Sequence, residues 1–378
     1  MQRLIISTVG TSILTNQINM GSESDWSDLL EARANDKEFD GGDILEAIEE
    51  LTRKAKNKLY SDPEQKLIND DIDQIRSASA ELNGIYGLYR DQLSQGNQDI
   101  HWLITTDTAQ GQVSAELIRD FLRDNHLIVD IHTPKDLSTA STESFTNGID
   151  DLLKWVDEII PGYQNSDYHI CFNLVGGFKA LQGYANTIGM FYAHEIIYIF
   201  EGSSEVITIP RLPIQVNHSV IKPVQFALMA GGAWVKLSEL ENVPETLIFK
   251  VDDTATLTTW GRLVWNRSKE DLLSGELLKF PKLKYESSFK KDYESTQSNN
   301  EKVKLQETLA KASHLLMKHN GDTAPLKSDG GLLYEVYQNK GGIAHFRITQ
   351  GIRVSCTASG GFLTLRRYGK EPDVNKNP

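Results

Sequence analysis

The feature that most constrains this chain is an alternation in its first half. Short apolar runs at 3–8, 101–106, 128–133, 169–175 and 196–200 read as strands, and 205–210 is a further extended run. Helical patterns lie between them, notably at 43–59, 64–89, 112–124, 142–160 and 177–192. Strands separated by crossing helices predict an α/β chain built on a Rossmann-like, doubly wound parallel sheet. Such sheets bind ligands at the carboxyl ends of their strands, so the loops there are where chemistry is expected.

With 378 residues the chain has room for two or three domains. The stretch 16–97, mostly charged and helical, reads as an insertion between the first two strands. Gly202, Ser203 and Ser204 read as a turn closing the first domain, at about residue 213. Residues 214–275 carry short helical and extended pieces with Trp234, Trp260 and Trp265, which suggests a small winged-helix-like module. Its Trp260-Gly261-Arg262 reads as core and turn. From 276 to the C-terminus the pattern is two helices and then four extended runs near 332–338, 343–349, 352–358 and 362–368, joined by glycine turns. An α+β domain with an antiparallel sheet is expected there.

No apolar run approaches the ~18 residues of a membrane-spanning helix, and the N-terminus enters a strand at once, without the pattern of a signal peptide. A cytoplasmic protein with no membrane partner is expected. Cys171 and Cys356 lie in separate apolar runs and read as two buried thiols, and no metal-ligand spacing occurs, so neither metal nor cofactor is expected. The net charge of -13 argues against nonspecific adhesion to nucleic acid, but from Lys340 onward seven basic residues face two acidic ones. An acidic body with a basic end suits a phosphate-bearing partner met at that end.

The first strand runs into Ser7-Thr8-Val9-Gly10-Thr11-Ser12, where small and hydroxylated residues expose backbone N–H groups and hydroxyls suited to phosphate or ribose oxygens. The fourth runs into Asn173-Leu174-Val175-Gly176-Gly177-Phe178-Lys179, where paired glycines admit a ligand to the backbone before a helix N-terminus. Together with the 105–112 loop, which supplies Thr106, Asp107 and Gln110, they converge on one rim of the sheet.

Those three segments resemble the CRISPR-associated Rossmann fold (CARF) domain over roughly residues 1–213. The resemblance implies a homodimer that binds a cyclic oligoadenylate, cyclic tetra-adenylate foremost. Gly10, Thr11 and Ser12 would then hold phosphate or ribose, and Gly176, Gly177, Phe178 and Lys179 would close over the ring. Some such domains also degrade their activator, a reaction that Thr11, Ser12 and Lys179 could assist without metal by holding in-line geometry.

In the last domain, strand alternation puts His345 and Arg347 on one face, opposite Phe346 and Ile348. Arg353 shares the face of Ser355 and Thr357, so it reads as exposed or functional. The final run brings Arg366, Arg367, Tyr368 and Lys370 together. Arginines with Tyr and Lys offer phosphate contacts and base stacking, and an electropositive setting that lowered the Lys or Tyr pKa would support attack of an RNA 2'-OH on its own phosphate.

From about 281 to 375 the chain resembles the RelE/ParE toxin superfamily, through Leu283-Lys284-Tyr285, Ser288-Phe289-Lys290-Lys291-Asp292, Leu333-Tyr334-Glu335-Val336, the pair Phe346-Arg347-Ile348 and Ile352-Arg353-Val354, and Tyr368-Gly369-Lys370. The resemblance implies a ribosome-dependent mRNA endonuclease, with Arg353 matching the core-strand arginine. Glu371 stands where a basic residue is expected, and no tyrosine follows it. Together the two resemblances are to the CRISPR-associated mRNA interferases. They imply activator-gated mRNA cleavage in the ribosomal A site with 2',3'-cyclic phosphate ends, and the acidic net charge adds the expectation of docking to ribosomal protein, the stalk included. Rival readings are a HEPN-type nuclease using Arg119 with His126 or Arg211 with His218, a DNA-binding regulator using 214–275, and a ParE-like gyrase poison.

Overall fold

The computed structural model describes residues 1–60, 68–200 and 203–378. It divides into two compact units, Met1–Ile214 and Gln215–Pro378.

In the first unit, β1 (Arg3–Thr8) leads through α1 (Ser12–Thr15), α2 (Ser24–Ala32), α3 (Asp43–Leu59), α4 (Ile68–Ala78) and α5 (Ala80–Leu88) to β2 (Ile100–Ile104). Then follow α6 (Ala109–Asp124), β3 (Ile128–His132), α7 (Thr142–Asn165), β4 (His169–Asn173), α8 (Lys179–Tyr192), β5 (Glu195–Ile199) and β6 (Val206–Pro210). The sheet order is β3-β2-β1-β4-β5-β6. All neighbours are parallel except β6, which turns back antiparallel on β5. Leu4 and Ile5 of β1 and Ile170 of β4 are fully buried, as both faces of a parallel sheet require.

The helix expected over 64–89 is two helices where it is described; its first residues, 64–67, lie outside the described residues. Ser79 is extended (φ -152°, ψ 146°) and its side chain accepts from Leu82 N, so it ends one helix by capping the next. Gly202 of the expected turn also lies outside the described residues, while Ser203 N donates to Phe200 O at 3.0 Å.

The second unit opens with α9 (Pro223–Ala230), β7 (Val235–Lys236), β8 (Ile248–Val251), β9 (Thr254–Leu257) and α10 (Thr259–Leu273). The three strands pair antiparallel in the order β7-β9-β8. Next come β10 (Leu283–Tyr285), α11 (Ser287–Ser295), α12 (Asn299–Lys318), α13 (Ala324–Ser328), β11 (Glu335–Val336), β12 (Ile343–Arg347), β13 (Ile352–Ser359), β14 (Phe362–Lys370) and α14 (Glu371–Lys376). They form a five-stranded sheet in the order β10-β14-β13-β12-β11, antiparallel apart from the β10–β14 pair. Of the extended run 332–338 only two residues join the ladder, because Leu333 turns into positive φ (44°).

One hydrophobic core joins Phe226 and Trp265 of the opening segment to Leu305 and Leu309 of α12 and to Phe346, Val354 and Leu365 of the sheet. Gln306, fully buried in α12, ties the parts together by donating to Leu273 O and Glu276 O and accepting from Leu278 N. Cys171 and Cys356 are buried free thiols, and burial pushes both above the ordinary thiol range. Among the described residues no helix is long and apolar enough to cross a membrane.

Candidate functional sites

The chain order that lays β2 and β3 on one side of β1, and β4 and β5 on the other, makes the crevice between β1 and β4 the switch point of the first sheet. The two loops leaving those strands meet there glycine to glycine. A Cβ on Gly10 would lie 3.1 Å from Gly177 N, and Gly177 itself has φ +93°. Side chains of either residue would force the loops apart. Thr8 Oγ1 donates to Gly176 O at 2.6 Å, and Gln182 of α8 donates to Leu174 O and Gly176 O, so the second loop is held from both sides.

A cavity of about 380 Å³ opens above this junction. Gly10, Thr11, Ser12, Thr106, Gly176, Gly177 and Phe178 line it, which brings together seven of the ten residues expected to hold the ligand. Three others are placed differently. Gln110 is buried and donates to Leu30 O, a structural bond within the unit. Asp107 accepts from Lys37 Nζ (2.6 Å) and Asp136 N (3.1 Å). Partial burial raises the Asp107 pKa, but the Lys37 bond and the Asp136 amide outweigh it and leave the carboxyl below its usual range. Lys179 is exposed at the start of α8 and is not among the cavity-lining residues. Among the described residues the lining has no lysine or arginine; its polar side chains are the hydroxyls of Thr11, Ser12, Thr15, Thr106, Thr108 and Thr139, with the Asn35 amide.

The sequence reading missed Glu81. This fully buried carboxylate, from the α5 end of the insertion, accepts from Gly10 N at 2.7 Å, Ser12 Oγ at 3.0 Å and Ser79 Oγ at 2.7 Å. It fixes the β1 loop from below. A Glu in the first turn of a helix ordinarily faces solvent; that it is the sole charge in an otherwise uncharged helix capped by Ser79 was the only cue.

In the second unit, β12 and β13 pair so that Arg347 lies opposite Arg353 and His345 opposite Ser355. Cross-strand partners share a face, so His345, Arg347 and Arg353 stand on one side of the sheet while Phe346 and Val354 fill the core on the other. His345 stacks obliquely on Tyr337 with ring centres 4.4 Å apart, and its Nε2 lies 3.9 Å from Glu335. Burial depresses the imidazole pKa, Arg353 acts in the same direction, and Glu335 and Glu371 oppose them; the net is below the ordinary value.

Arg353 is not exposed, contrary to the sequence expectation. Only 5% of it is accessible, because Nη1 donates to the carbonyls of Thr349, Gln350 and Ile352 in the β12–β13 turn while Nη2 meets Glu371 at 3.1 Å. The unexpected glutamate is thus the partner of the arginine. Arg347 carries no ion pair among the described residues, and its Nε is buried without a hydrogen bond.

The final run does not gather into one cluster. Tyr368 turns into the core (6% accessible), and burial drives its phenol pKa up, opposite to what proton transfer would need. Arg367 is bound to Asp292 of α11 by Nε (2.7 Å) and Nη2 (3.3 Å), and Tyr368 N donates to the same carboxylate. The split arises at a register shift between Ser355 and Cys356, where Arg366 and Arg367 take up the extra residue of a bulge. Arg366 lies 3.7 Å from Glu286, and Lys370 is exposed beside a separate cleft that Asp292 and Glu301 also line.

The first unit is therefore a doubly wound α/β fold with a hydroxyl-lined cavity at its switch point, and the second a compact α+β unit with a half-buried basic face. Residues 76–212 match the family model described as CRISPR-associated protein (Cas_APE2256). The match covers less than half of the chain. It includes Glu81, the 105–112 loop and the Gly176–Gly177 turn, and stops short of the second unit. The similarity points to a CRISPR-related role.

Proposed function

We propose that the chain is an ancillary effector of type III CRISPR defence, in which a cyclic oligoadenylate bound by the first unit licenses the second to cut mRNA on the ribosome. The observation that carries this reading is the switch-point cavity, floored by Gly10, Gly176 and Gly177 and flanked by a segment similar to a CRISPR-associated family. At about 380 Å³ it is near the low end of ligand pockets, which run roughly 300–1,000 Å³. A ring of several nucleotides needs more room, and a twofold homodimer supplies a second cavity. Phe178, held edge-on to Phe145 at 5.7 Å, offers an aromatic surface to a base.

In the second unit Arg347, half-buried and with no ion pair among the described residues, is the group best able to take a phosphate oxygen, and His345, its pKa lowered by burial, can accept the 2'-OH proton. Attack of that oxygen on the adjacent phosphorus expels the 5'-oxygen and leaves a 2',3'-cyclic phosphate. With a net charge of -13 the chain is ill suited to hold free RNA tightly, so docking to ribosomal protein, the stalk included, supplies the localisation. Whether the first unit also degrades its activator is a separate part of the proposal, resting on Thr11 and Ser12 at the cavity.

Cyclic tri-, tetra- and hexa-adenylate, added singly to a translation extract containing the protein, test the reading. One ring, cyclic tetra-adenylate by expectation, should halt translation. Halting by none of them contradicts it.

A further inference from the structure

The Ser12 hydroxyl and the Gly10 amide are both committed within the protein, and what Ser12 has left defines what it can receive from the cavity. A serine hydroxyl has one proton and two lone pairs. The Ser12 proton goes to Glu81 Oε2 at 3.0 Å, and one lone pair takes Ala80 N–H at 3.1 Å. Gly10 N–H, the amide nearest the junction with Gly177, is used by Glu81 Oε1 at 2.7 Å. Ser79 Oγ, which donates to Glu81 Oε2, is itself spent on Leu82 N. The base of the assembly is buried, with Glu81 0% and Ser79 1% accessible, while Gly10 and Ser12 are half-buried at the cavity.

Ser12 therefore faces its cavity with a single unused lone pair and no proton to give. A phosphate oxygen, which only accepts, finds no donor in Gly10 or Ser12 and meets a carboxylate one bond-length of hydrogen bonding behind them. A ligand hydroxyl, which donates, finds an acceptor strengthened by the Ser12–Glu81 bond. The absence of lysine and arginine from the lining agrees with a surface that reads hydroxyls.

We propose that Glu81, acting through Ser12, makes the Ser12 hydroxyl a receptor for a ribose 2'-OH rather than for a phosphate oxygen. Glu81 is thus a specificity-determining residue that touches no ligand atom. The proposal rests on the reading of the cavity as an oligoadenylate site.

Calorimetric titration of the full chain with cyclic tri-, tetra- and hexa-adenylate and with their 2'-deoxy counterparts tests it. The ring that binds should lose about tenfold in affinity when its 2'-hydroxyls are removed, the worth of one well-made hydrogen bond. In Glu81→Gln the amide can donate to Ser12 Oγ and release its proton toward the cavity, so discrimination between the two ring types should shrink to about threefold or less. Ser12→Ala, which leaves Gly10 and Ser79 on Glu81 and keeps the buried assembly intact, should shrink it equally while still binding the ribose ring. Equal binding of ribose and deoxyribose rings by the natural chain, or undiminished discrimination in Ser12→Ala, overturns the proposal and leaves the oligoadenylate reading standing. Binding of no ring at all contradicts that reading, and the proposal with it.

Discussion

Glu371 sits 3.1 Å from Arg353, and the two close the end of the sheet from which β13 starts and to which β14 returns. The first residue of α14 thereby meets an arginine whose other nitrogen is spent on three turn carbonyls. The helix is held down at its far end as well, by Tyr337 Oη donating to Asn375 Oδ1 and Lys340 Nζ to Asn375 O, both at 2.5 Å, with Val374 buried between. Arg353 is in this sense a structural clamp, and it differs in kind from its cross-strand neighbour Arg347.

That difference is measurable. Arg353→Ala should lower unfolding free energy by about 2 kcal/mol, the usual scale for stripping a buried donor from its acceptors, and lower RNA cleavage along with it. Arg347→Ala should leave the thermal midpoint within a degree or two, yet reduce ring-stimulated cleavage by about 10²-fold, as loss of a transition-state charge contact does. Thermal unfolding measured beside cleavage separates the two.

The pH profile of cleavage carries a second prediction. Burial holds the His345 pKa below its ordinary value of about 6.5, so the imidazole is a free base at neutrality. Cleavage should be flat from pH 7 to 8 and fall only on an acid limb below 6.5. His345→Gln should remove that limb and lower the rate by about 10²-fold or more. A limb above pH 7 would assign the base to another group.

A third prediction concerns the glycine junction. A Cβ on Gly176 would run into the Glu81 carboxylate, which three hydrogen bonds hold in place, so Gly176→Ala should destabilise the first unit by about 1–3 kcal/mol and weaken ring binding. Gly183, whose Cβ position has nothing within 4 Å, is the control. Gly183→Ala, in the exposed interior of α8, should leave ring binding unchanged and raise stability by about 0.5–1 kcal/mol. Denaturant melts and ring titration check the pair.

Acid stability supplies a fourth. His101 is fully buried in β2, its Nε2 2.9 Å from Tyr89 Oη, and burial lowers its pKa to about 3. The folded state therefore prefers the neutral ring, and the stability this preserves is complete above the unfolded pKa of about 6.5. It is lost as pH falls below that value, at about 1.4 kcal/mol per pH unit. His101→Gln should be less stable at pH 7 but show a shallower decline toward pH 5, read from urea midpoints.

Much of the first unit is legible in the sequence because its signals are local and periodic. Strand 3–8 and helix 43–59 coincide with β1 and α3 at both ends, and the strand ends that matter deliver Gly10–Ser12 and Gly176–Phe178 to one cavity. Long-range commitments are not legible. Nothing local in Ser79-Ala80-Glu81 says that the carboxylate will lie beneath a loop some seventy residues earlier, or that Asn35 will line the same cavity. In the second unit alternation places His345 and Arg347 correctly, but the bulge near Ser355 shifts the phase of β14. That shift, rather than the alternation that buries Leu363 and Leu365, puts Tyr368 in the core, apart from the Arg367 that adjacency in the run had grouped with it. Arg353, read as exposed or functional, is not exposed for a related reason: its face is outward, but the helix that starts directly after β14 brings Glu371 back to cover it.

The most direct test of the central claim is to map RNA ends after incubating the purified protein with mRNA, with and without cyclic tetra-adenylate, and with and without translating ribosomes. The account predicts new 2',3'-cyclic phosphate ends within the translated region only when ring and ribosomes are both present. Equal cleavage of free and translated mRNA, or cleavage independent of the ring, would contradict it.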